Sequence, residues 1–541
     1  MTGGGEEDAG RKAPGDAIRE AVDAAEEADF ADWAAARAGG TENLDLLCAW
    51  QPKNDLGNAR RLMLRYGQDL IYIEDVGWYC WSGKHWDGAA GDLEAQRLAH
   101  RVSAAMKDEA KALREHGAFD DETRKAFEDR IGKHYAWSVA SGNSGKVHAM
   151  LREAVPYLAR KLGDMDPDPF VFNTQNGTLH LKRERYREED PDCPDPDAVR
   201  YIEGVRASVT LRGHERDDRC SKISPVPYRA AATAPVFRAF LERVLPDPAV
   251  RGFLQRYFGY ALTADTSEQC LVLLHGIGAN GKSTLVEIVS WLLGDYALTL
   301  PFASLLHDDK RRGSEATPDI ARLPGARLVS ASEPEIGQRF SESLLKSLTG
   351  GETITARHLN RDFFEFSPTF KLVLSFNHKP NVRGQDEGIW RRLFMVPFDV
   401  TIPLAERDRD LLAKLREEGS GILNWLIEGA RLWMEEGLAV PEKVRAATEA
   451  YRSESDPVGQ FMASATRYLP GSTVQASRLY KAYTHWCHES AVTPLSQTAF
   501  GKTLGDRGYT KSRIGTYFYE NLELDERHDP GLPGPEEDAV L

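Results

Sequence analysis

The sequence has few cysteines, and no two of them form a close pair. The cysteines are scattered along the chain without a Cys-x-x-Cys motif: Cys48, Cys80, Cys193, Cys220, Cys270 and Cys487. This spacing offers no zinc framework and is typical of free thiols in a reducing cytoplasm. His485, Cys487 and His488 lie in an apolar-periodic helix without a second ligand pair, so we expect them to be structural.

Long hydrophobic runs and an excess of positive charge are also missing. No apolar run is long enough to cross a bilayer and no signal peptide opens the chain, so we expect an intracellular protein without a membrane partner. The formal net charge of −15 argues against broad adhesion to nucleic acid, although it leaves room for a local basic channel. A chain of 541 residues is too long to fold around one hydrophobic core, so we predict roughly two to four domains.

A glycine-rich turn between an apolar run and an apolar-periodic helix dominates the middle of the chain. The segment Leu271–Val289 contains the complete spacing Gly276-x-x-x-x-Gly281-Lys282-Ser283, which predicts a phosphate loop for ATP and Mg²⁺. Glycines let backbone N–H groups approach a polyphosphate, Lys282 reaches the β- and γ-phosphates, and the Ser283 hydroxyl holds Mg²⁺. The predicted nucleotide-binding residues are Gly276, Gly278, Asn280, Gly281, Lys282, Ser283 and Thr284.

Two further apolar runs end in polar side chains that suit ATP hydrolysis. The first ends at Glu333, a carboxylate that can help to hold Mg²⁺ and polarise the attacking water. The second ends at Asn377, whose amide can orient that water. Arg391 and Arg392 follow just before another apolar run and can stabilise transition-state charge in a neighbouring subunit.

Between these runs, alternating residues around 360–362 predict an inserted hairpin with a basic tip. Arg357, His358 and Arg361 lie at or near this tip. Such residues can hold phosphates in a central pore without reading bases.

These motifs, in this order, resemble those of superfamily-3 helicases, and most of all those of the phage/plasmid primase-helicase group, which is related to the poxvirus primase-helicase. The resemblance extends from about Asn54 to Leu522. It is carried by the phosphate loop, Ser330-Ala-Ser-Glu333, Lys346-x-x-Thr-Gly-Gly, Ala356-Arg357, Ser375-Phe-Asn377-His-Lys-Pro380 and Trp390-Arg-Arg392, together with Asn54-Asp-Leu-Gly-Asn58 and Asn176-Gly-Thr-Leu179 upstream.

The resemblance implies an AAA+-like homohexameric ring that hydrolyses ATP between subunits and moves 3′ to 5′ on single-stranded DNA. It implies that Glu333 is the Walker B acid, that Lys346 belongs to the motif after it and that Asn377 is sensor 1. Arg392 is the preferred arginine finger, with Arg391 close behind. The expected place of action is the cytoplasm of a bacterial host, on single-stranded and forked DNA.

Two departures from the family pattern qualify these expectations. Ser332 precedes Glu333 where many members carry a second acid, so either Glu333 serves both metal and water or Glu335 assists. The chain also lacks an Asp-x-Asp strand motif in its short N-terminal tail. We therefore expect no primase activity in this polypeptide, and a separate primase or polymerase as a partner.

The fold class we predict is α/β, with an AAA+-like P-loop core, an α+β N-terminal domain and a C-terminal winged helix. The winged helix offers Lys502, Arg507, Lys511 and Arg513 to DNA phosphates, or alternatively serves as a protein dock. The predicted parts are a disordered tail over 1–41, an α+β domain over 42–225, the ATPase core over 226–403, a helical lid or collar over 404–455, the winged helix over 456–522 and a disordered acidic tail over 523–541.

Two segments upstream of the core have alternative interpretations. Trp78, Trp81 and Trp86, with Lys84, suit either a base-stacking platform or a hydrophobic core, and we favour core. The charged, proline-containing stretch over 183–198 is interpreted as a connection or boundary.

The favoured function is an ATP-dependent DNA helicase of phage, prophage or plasmid replication. One alternative is a P-loop ATPase that loads or remodels a replication complex without unwinding. Another is a DNA-binding initiator or repressor for which ATP acts only as an assembly switch.

Overall fold

A computed structural model of the chain describes residues 43–74, 76–119, 122–189, 201–306, 318–332, 338–357, 362–382, 384, 386–525 and 527. The predicted N-terminal tail and most of the predicted acidic C-terminal tail lie outside these residues. The last described strand ends at Leu524, so ordered structure continues two residues beyond the predicted boundary at 522.

The N-terminal part packs helices against a small sheet. Its helices are α1 (Leu44–Ala49), α2 (Asp55–Tyr66), α3 (Gly91–His116), α4 (Arg124–Ser141) and α5 (Ser144–Leu158). Strands β1 (Leu70–Ile73), β2 (Gly77–Trp81), β3 (Trp86–Asp87) and β4 (Ala159–Arg160) form a sheet in the order β3-β2-β1-β4. Trp78 and Trp86 are buried in this region, which confirms the core interpretation of the aromatic hairpin for these two residues.

A second antiparallel sheet contains β5 (Val171–Thr174), β6 (Gly177–Glu189) and β7 (Tyr201–Arg212). Its β6 and β7 are paired continuously from Thr178 and Arg212 to Glu189 and Tyr201. The interpretation of residues 183–198 as a connection is therefore wrong for 183–189, which belong to β6. Charged residues occupy both faces of this strand, so it lacks the apolar alternation by which a half-buried strand is detected.

The centre of the molecule is a parallel sheet in the order β14-β8-β13-β10-β9. These strands are β8 (Leu271–His275), β9 (Ala297–Thr299), β10 (Leu328–Ser332), β13 (Lys371–Phe376) and β14 (Leu393–Pro397). Alternate residues enter two separate hydrophobic clusters, with Val272 and Leu274 in one and Leu271 and Leu273 in the other. Burial on both faces explains why the strands are nearly continuous apolar runs.

Helices surround this sheet, and a small hairpin is inserted into it. The helices are α6 (Pro235–Val244), α7 (Pro248–Tyr260), α8 (Lys282–Leu293), α9 (Pro318–Ala321), α10 (Glu342–Gly350) and α11 (Glu387–Trp390). The hairpin pairs β11 (Ile354–Arg357) with β12 (Phe363–Phe366), as the alternation of residues predicts.

The C-terminal third is helical and then mixed. Helices α12 (Leu411–Glu417), α13 (Gly419–Glu436) and α14 (Glu442–Glu454) occupy the region predicted to be a helical lid. They are followed by α15 (Pro457–Ala465), β15 (Thr466–Gln475), α16 (Ala476–Glu489), α17 (Gln497–Asp506), β16 (Lys511–Ile514) and β17 (Thr516–Leu524). The sheet order is β15-β17-β16. Cys487 is buried in the hydrophobic cluster of this region.

Candidate functional site

The glycine-rich loop connects the carboxyl end of β8 to the first turn of α8. A side chain at Gly276 would place its Cβ 2.3 Å from the Phe398 carbonyl oxygen, so a glycine is required there. Gly281, directly before α8, has φ of 85°, a left-handed conformation that favours glycine. The loop therefore presents its backbone at a helix N-terminus, where N–H groups and the helix dipole favour anions.

Lys282 is buried beneath the loop and links it to the neighbouring strand. Its Nζ lies 2.5 Å from the Gly276 carbonyl oxygen, 3.1 Å from Asn280 Oδ1 and 3.2 Å from Asn377 Oδ1. The side chain of Asn280 in turn donates to the Phe398 carbonyl oxygen at 3.3 Å. This network positions the ammonium group between the loop and the end of β13.

A polar cleft of about 240 Å³ lies over this network. Its lining combines loop and first-turn residues with the carboxyl ends of β10 and β13: Gly278, Ala279, Asn280, Gly281, Lys282, Ser283, Thr284, Ser332, Ser375, Phe376 and Asn377. Ser283 is exposed in the first turn of α8. Ser375 lines this cleft, and its buried Oγ has no hydrogen-bond partner within the described ranges.

His275, the last residue of β8, adds no charge to the cleft near neutral pH. Burial lowers the pKa of its imidazole, and the positive charges of Lys379 and Lys282 lower it further. The ring is therefore neutral, and the positive charge near it comes from Lys282 and Lys379.

A second cavity, of about 470 Å³, adjoins the same loop. It shares Ala279, Gly281 and Thr284 with the polar cleft. Its remaining lining is an apolar wall with a charged rim: Val236, Ala239, Phe240, Ile402 and Leu411, with Arg243, Glu406, Arg407 and Asp408. The Ile402 backbone N–H donates to the Ala279 carbonyl oxygen at 2.8 Å, so this wall is fixed to the loop.

The predicted acid of the site follows strand β10 directly in the sequence. Glu333 lies outside the described residues, whereas Ser332 directly before it lies at the rim of the polar cleft, opposite Ser375 in the parallel register of β10 and β13. Residue 333 therefore follows the strand that borders the cleft, and its role remains a prediction.

The two predicted arginines have different environments. Arg391 is exposed, whereas Arg392 is buried, with Nη1 donating to the Gly388 carbonyl oxygen at 2.5 Å and Nη2 donating to Gln269 Oε1 at 3.3 Å. Burial lowers the pKa of Arg392, as does the charge of Arg391. An arginine that acts on a neighbouring subunit must reach the surface, and in this structure Arg391 is the residue placed there.

Of the four residues predicted to contact DNA in the core, Lys346 and Arg357 are among the described residues. Lys346 Nζ forms an ion pair with Asp386 at 2.9 Å, and this contact lowers the pKa of the Asp386 carboxyl group. Arg357 lies at the end of β11, with its guanidinium 4.7 Å from the centre of the Phe363 ring. His358 and Arg361 lie outside the described residues.

The predicted C-terminal basic residues also differ in accessibility. Lys502 on α17 and Lys511 on β16 are exposed, and the Lys511 ammonium lies 4.4 Å from the centre of the exposed Tyr517 ring. Arg507 is instead engaged in an ion pair with Asp456 at 2.6 Å. Lys502 and Lys511 thus remain available for a ligand, while Arg507 connects α17 to the region before α15.

Sequence reasoning missed two parts of this site. Ser375 is the first residue of the motif that contains Asn377, but no role was predicted for it from the sequence. Its place in the cleft depends on the pairing of β13 with β10. The apolar cavity combines residues of α6 with residues more than 150 positions later, so no local pattern could identify it.

Among the described residues, no helix combines the length and apolar character that a membrane span requires.

Family comparisons cover three segments of the chain. Residues 59–199 match the model described as D5 N terminal like, and residues 453–529 match Poxvirus D5 protein-like. Residues 274–392, which include the loop and Asn377, match a family of unknown function, DUF5906. The flanking matches confirm the resemblance to the primase-helicase family.

Individual relatives come from large DNA viruses. A putative helicase, L207/L206, of Acanthamoeba polyphaga mimivirus is 27% identical over 384 residues, which are 67% of this chain and 37% of the relative. The putative helicase 022R of Frog virus 3 is 28% identical over 52% of this chain and 30% of the relative. The putative primase C962R of African swine fever virus is 28% identical over 28% of this chain and 16% of the relative. The chain thus spans less than half the length of these relatives.

Proposed function

We propose that the protein is an ATP hydrolase with a P-loop core of the superfamily-3 type that drives DNA unwinding during replication. The observation that carries this proposal is the position of Lys282 Nζ between the Gly276 carbonyl oxygen and Asn377 Oδ1, beneath a polar cleft. A buried ammonium group at a helix N-terminus, facing an amide on the neighbouring strand, suits a polyphosphate and its attacking water.

The two cavities beside the loop suit the two ends of ATP. The triphosphate fits the polar cleft, where loop N–H groups and Lys282 supply donors. The adenine fits the apolar cavity between α6 and the segment over 402–411, since Phe240, Ile402 and Leu411 offer apolar contact. Ala279, Gly281 and Thr284 line both cavities, so the two cavities adjoin at these residues.

Mg²⁺ fits the outer end of the polar cleft, although no group of metal-ligating side chains stands there among the described residues. Ser283 is exposed beside Lys282, and Ser375 lines the same cleft. Ser283 and Glu333 would hold the ion, and Mg²⁺ commonly retains several waters beside one or two protein ligands. Bound there, the ion would neutralise charge on the β- and γ-phosphates.

We assign the remaining chemistry to this chain's own residues. Asn377 orients the attacking water, Glu333 polarises it, and Arg391 or Arg392 stabilises transition-state charge in the adjacent subunit of a homohexamer.

Arg357, His358 and Arg361, with Lys346, contact single-stranded DNA that moves 3′ to 5′ through the ring. Lys502 and Lys511, on a winged-helix domain, contact the forked DNA. A separate primase or polymerase completes the replication machinery in the bacterial host.

Lys346 can bind a DNA phosphate only when its ion pair with Asp386 opens. Its ammonium group is paired with Asp386, which is 55% exposed, so DNA phosphates must compete with that carboxylate. Exposed ion pairs contribute only about 0–1 kcal/mol, and a polyanion can therefore replace Asp386 as the partner.

The test is strand displacement by the purified chain, with ATP and Mg²⁺, on forks that carry either a 3′ or a 5′ single-stranded tail. Displacement that requires the 3′ tail and is absent in Lys282→Ala would support both the motor and its polarity. Hydrolysis without displacement on any fork would favour the alternative of a loading or remodelling ATPase. Slow hydrolysis that DNA does not stimulate would favour an ATP-switched initiator, and normal hydrolysis by Lys282→Ala would contradict the ATP site.

A further inference from the structure

The two strands β6 and β7 form a ribbon, which we call the β6–β7 ribbon, whose inner and outer halves have different surroundings. At the inner end, Leu181 and Ala207 are buried, and the Ala207 backbone N–H donates to Glu435 Oε1 at 2.9 Å. Towards the outer end most residues of both strands are exposed, with Tyr186, Gly204 and Val205 half-buried, while the pairing continues without a register shift. The outer half is therefore regular structure presented to solvent.

One face of this outer half carries arginine at every second position. Side chains alternate between the faces of a strand, so Arg183, Arg185 and Arg187 continue the face that Leu181 occupies at the inner end. Successive arginines on this face lie about 6.7 Å apart along the strand. All three are exposed.

The contacts on this face leave two of the three arginines available. Arg187 pairs with Glu203 at 3.4 Å, where both side chains are more than 60% exposed, and stacks 4.3 Å from the Tyr201 ring centre. Within the described part of the chain, Arg183 and Arg185 form no ion pair, and their cross-strand neighbours are the uncharged Ala207 and Val205. Tyr201, itself 46% exposed, adds an aromatic ring to the outer end of this face.

We infer that this face of the β6–β7 ribbon binds the backbone of single-stranded nucleic acid, with Arg183 and Arg185 on phosphates and Tyr201 against a base. A regular row of guanidinium groups beside an exposed aromatic ring suits a linear polyanion that carries bases. The identification of this ligand as nucleic acid rests on the proposed function. It adds a contact surface outside the ATPase core and outside the C-terminal domain.

The opposite face of the same strands provides a matched control. Lys182 and Arg206 lie there, and Arg206 pairs with Glu188 at 3.4 Å and stacks over Tyr186. The double variants Arg183→Ala/Arg185→Ala and Lys182→Ala/Arg206→Ala therefore each remove two positive charges from one ribbon, and differ in the face that loses them.

The experiment is fluorescence anisotropy of a labelled oligothymidine with the full chain, titrated at several salt concentrations. We expect Arg183→Ala/Arg185→Ala to weaken binding by about tenfold. The negative slope of log K, where K is the association constant, against the logarithm of the salt concentration should become less steep by about 1.4, or roughly 0.7 for each lost phosphate contact. The control variant should change affinity less than about twofold. Tyr201→Ala should weaken binding without changing the slope, because stacking releases no counterions.

Three outcomes would overturn the inference. Equal losses in the two double variants would mean that net charge alone matters, and unchanged binding in both would remove the ribbon from the nucleic-acid path. A change in assembly mass confined to Arg183→Ala/Arg185→Ala, with unchanged affinity, would make this face a contact between copies of the chain. ATP hydrolysis measured without DNA reports separately on the proposed function, so its failure is distinguishable from failure of the ribbon.

Discussion

Lys282 Nζ lies 3.2 Å from Asn377 Oδ1, although the two residues are 95 positions apart in the chain. The contact exists because β8 and β13 are adjacent parallel strands whose carboxyl ends meet at the same edge of the sheet. The sheet thus holds the ammonium group and the amide together at the edge where the phosphate loop begins.

We predict that Asn377→Ala reduces ATP hydrolysis by about 100-fold while changing nucleotide affinity by less than about threefold. The amide is expected to act on the attacking water, whereas Lys282 would still have the Gly276 carbonyl oxygen and Asn280 as partners. Steady-state hydrolysis and binding of a fluorescent ATP analogue measure the two effects. Lys282→Ala serves as the contrast, because it should lose binding as well as hydrolysis. Equal loss of both in Asn377→Ala would assign that residue to binding.

Arg391 and Arg392 should respond differently to replacement. Arg391→Ala removes an exposed side chain, so we expect hydrolysis by the assembled protein to fall at least about 100-fold with unchanged thermal stability. Arg392→Ala removes donors to Gly388 and Gln269, so we expect a loss of about 1–3 kcal/mol of stability. Thermal unfolding and hydrolysis, measured on both variants, separate these effects.

A mixing experiment tests whether Arg391 acts on the adjacent subunit. Arg391→Ala and Lys282→Ala subunits, each inactive alone, should recover some hydrolysis when combined, because some interfaces then contain both intact residues. The subunits must be shown to exchange, for example by energy transfer between labelled copies. Exchange without recovery would contradict an action in trans.

The central sheet could be predicted because its strands carry a signal that requires no partner. Apolar runs such as Leu271–Leu274 are buried on both faces, and the glycine spacing that follows fixes the strand-to-helix turn. Within the region 456–522, helices α16 and α17 and the hairpin of β16 and β17 were predictable for a similar reason, since each element has its own periodicity.

Features created by long-range pairing were not predictable. Arg392 is buried and donates to Gln269, which is 123 positions away, so no local pattern separates it from the exposed Arg391. The β6 strand past Arg183 was missed because its stability comes from pairing with β7 rather than from an apolar face. The partner of Lys346, Asp386, likewise depends on the placement of α10 beside α11.

The N-terminal part should lose stability as the pH falls below about 6.5. His134 is buried with Nε2 3.0 Å from Glu109 Oε2, and its Nδ1 has no partner among the described residues. Burial lowers the pKa of His134, and together with the positive charges of Arg61 and Lys53 it outweighs the Glu109 carboxylate, which raises that pKa. The unfolded chain therefore takes up a proton that the folded chain does not, which costs at most about 1.4 kcal/mol per pH unit. Thermal unfolding from pH 7 to pH 5 should be less pH-dependent in His134→Gln, and identical profiles would contradict the assignment.

The apolar cavity beside the loop should govern nucleotide affinity without affecting the chemical step. Leu411→Ala removes roughly 1–2 kcal/mol of apolar contact with the base, so we expect KM for ATP to rise about 5- to 30-fold with little change in kcat. Leu404→Ala provides the control, because Leu404 is 78% exposed and does not line the cavity. A variant that lowers kcat and leaves KM unchanged would place the base elsewhere. Comparing ATP with inorganic triphosphate sharpens the test, since Leu411→Ala should weaken binding of ATP but leave binding of triphosphate, which has no base, unchanged.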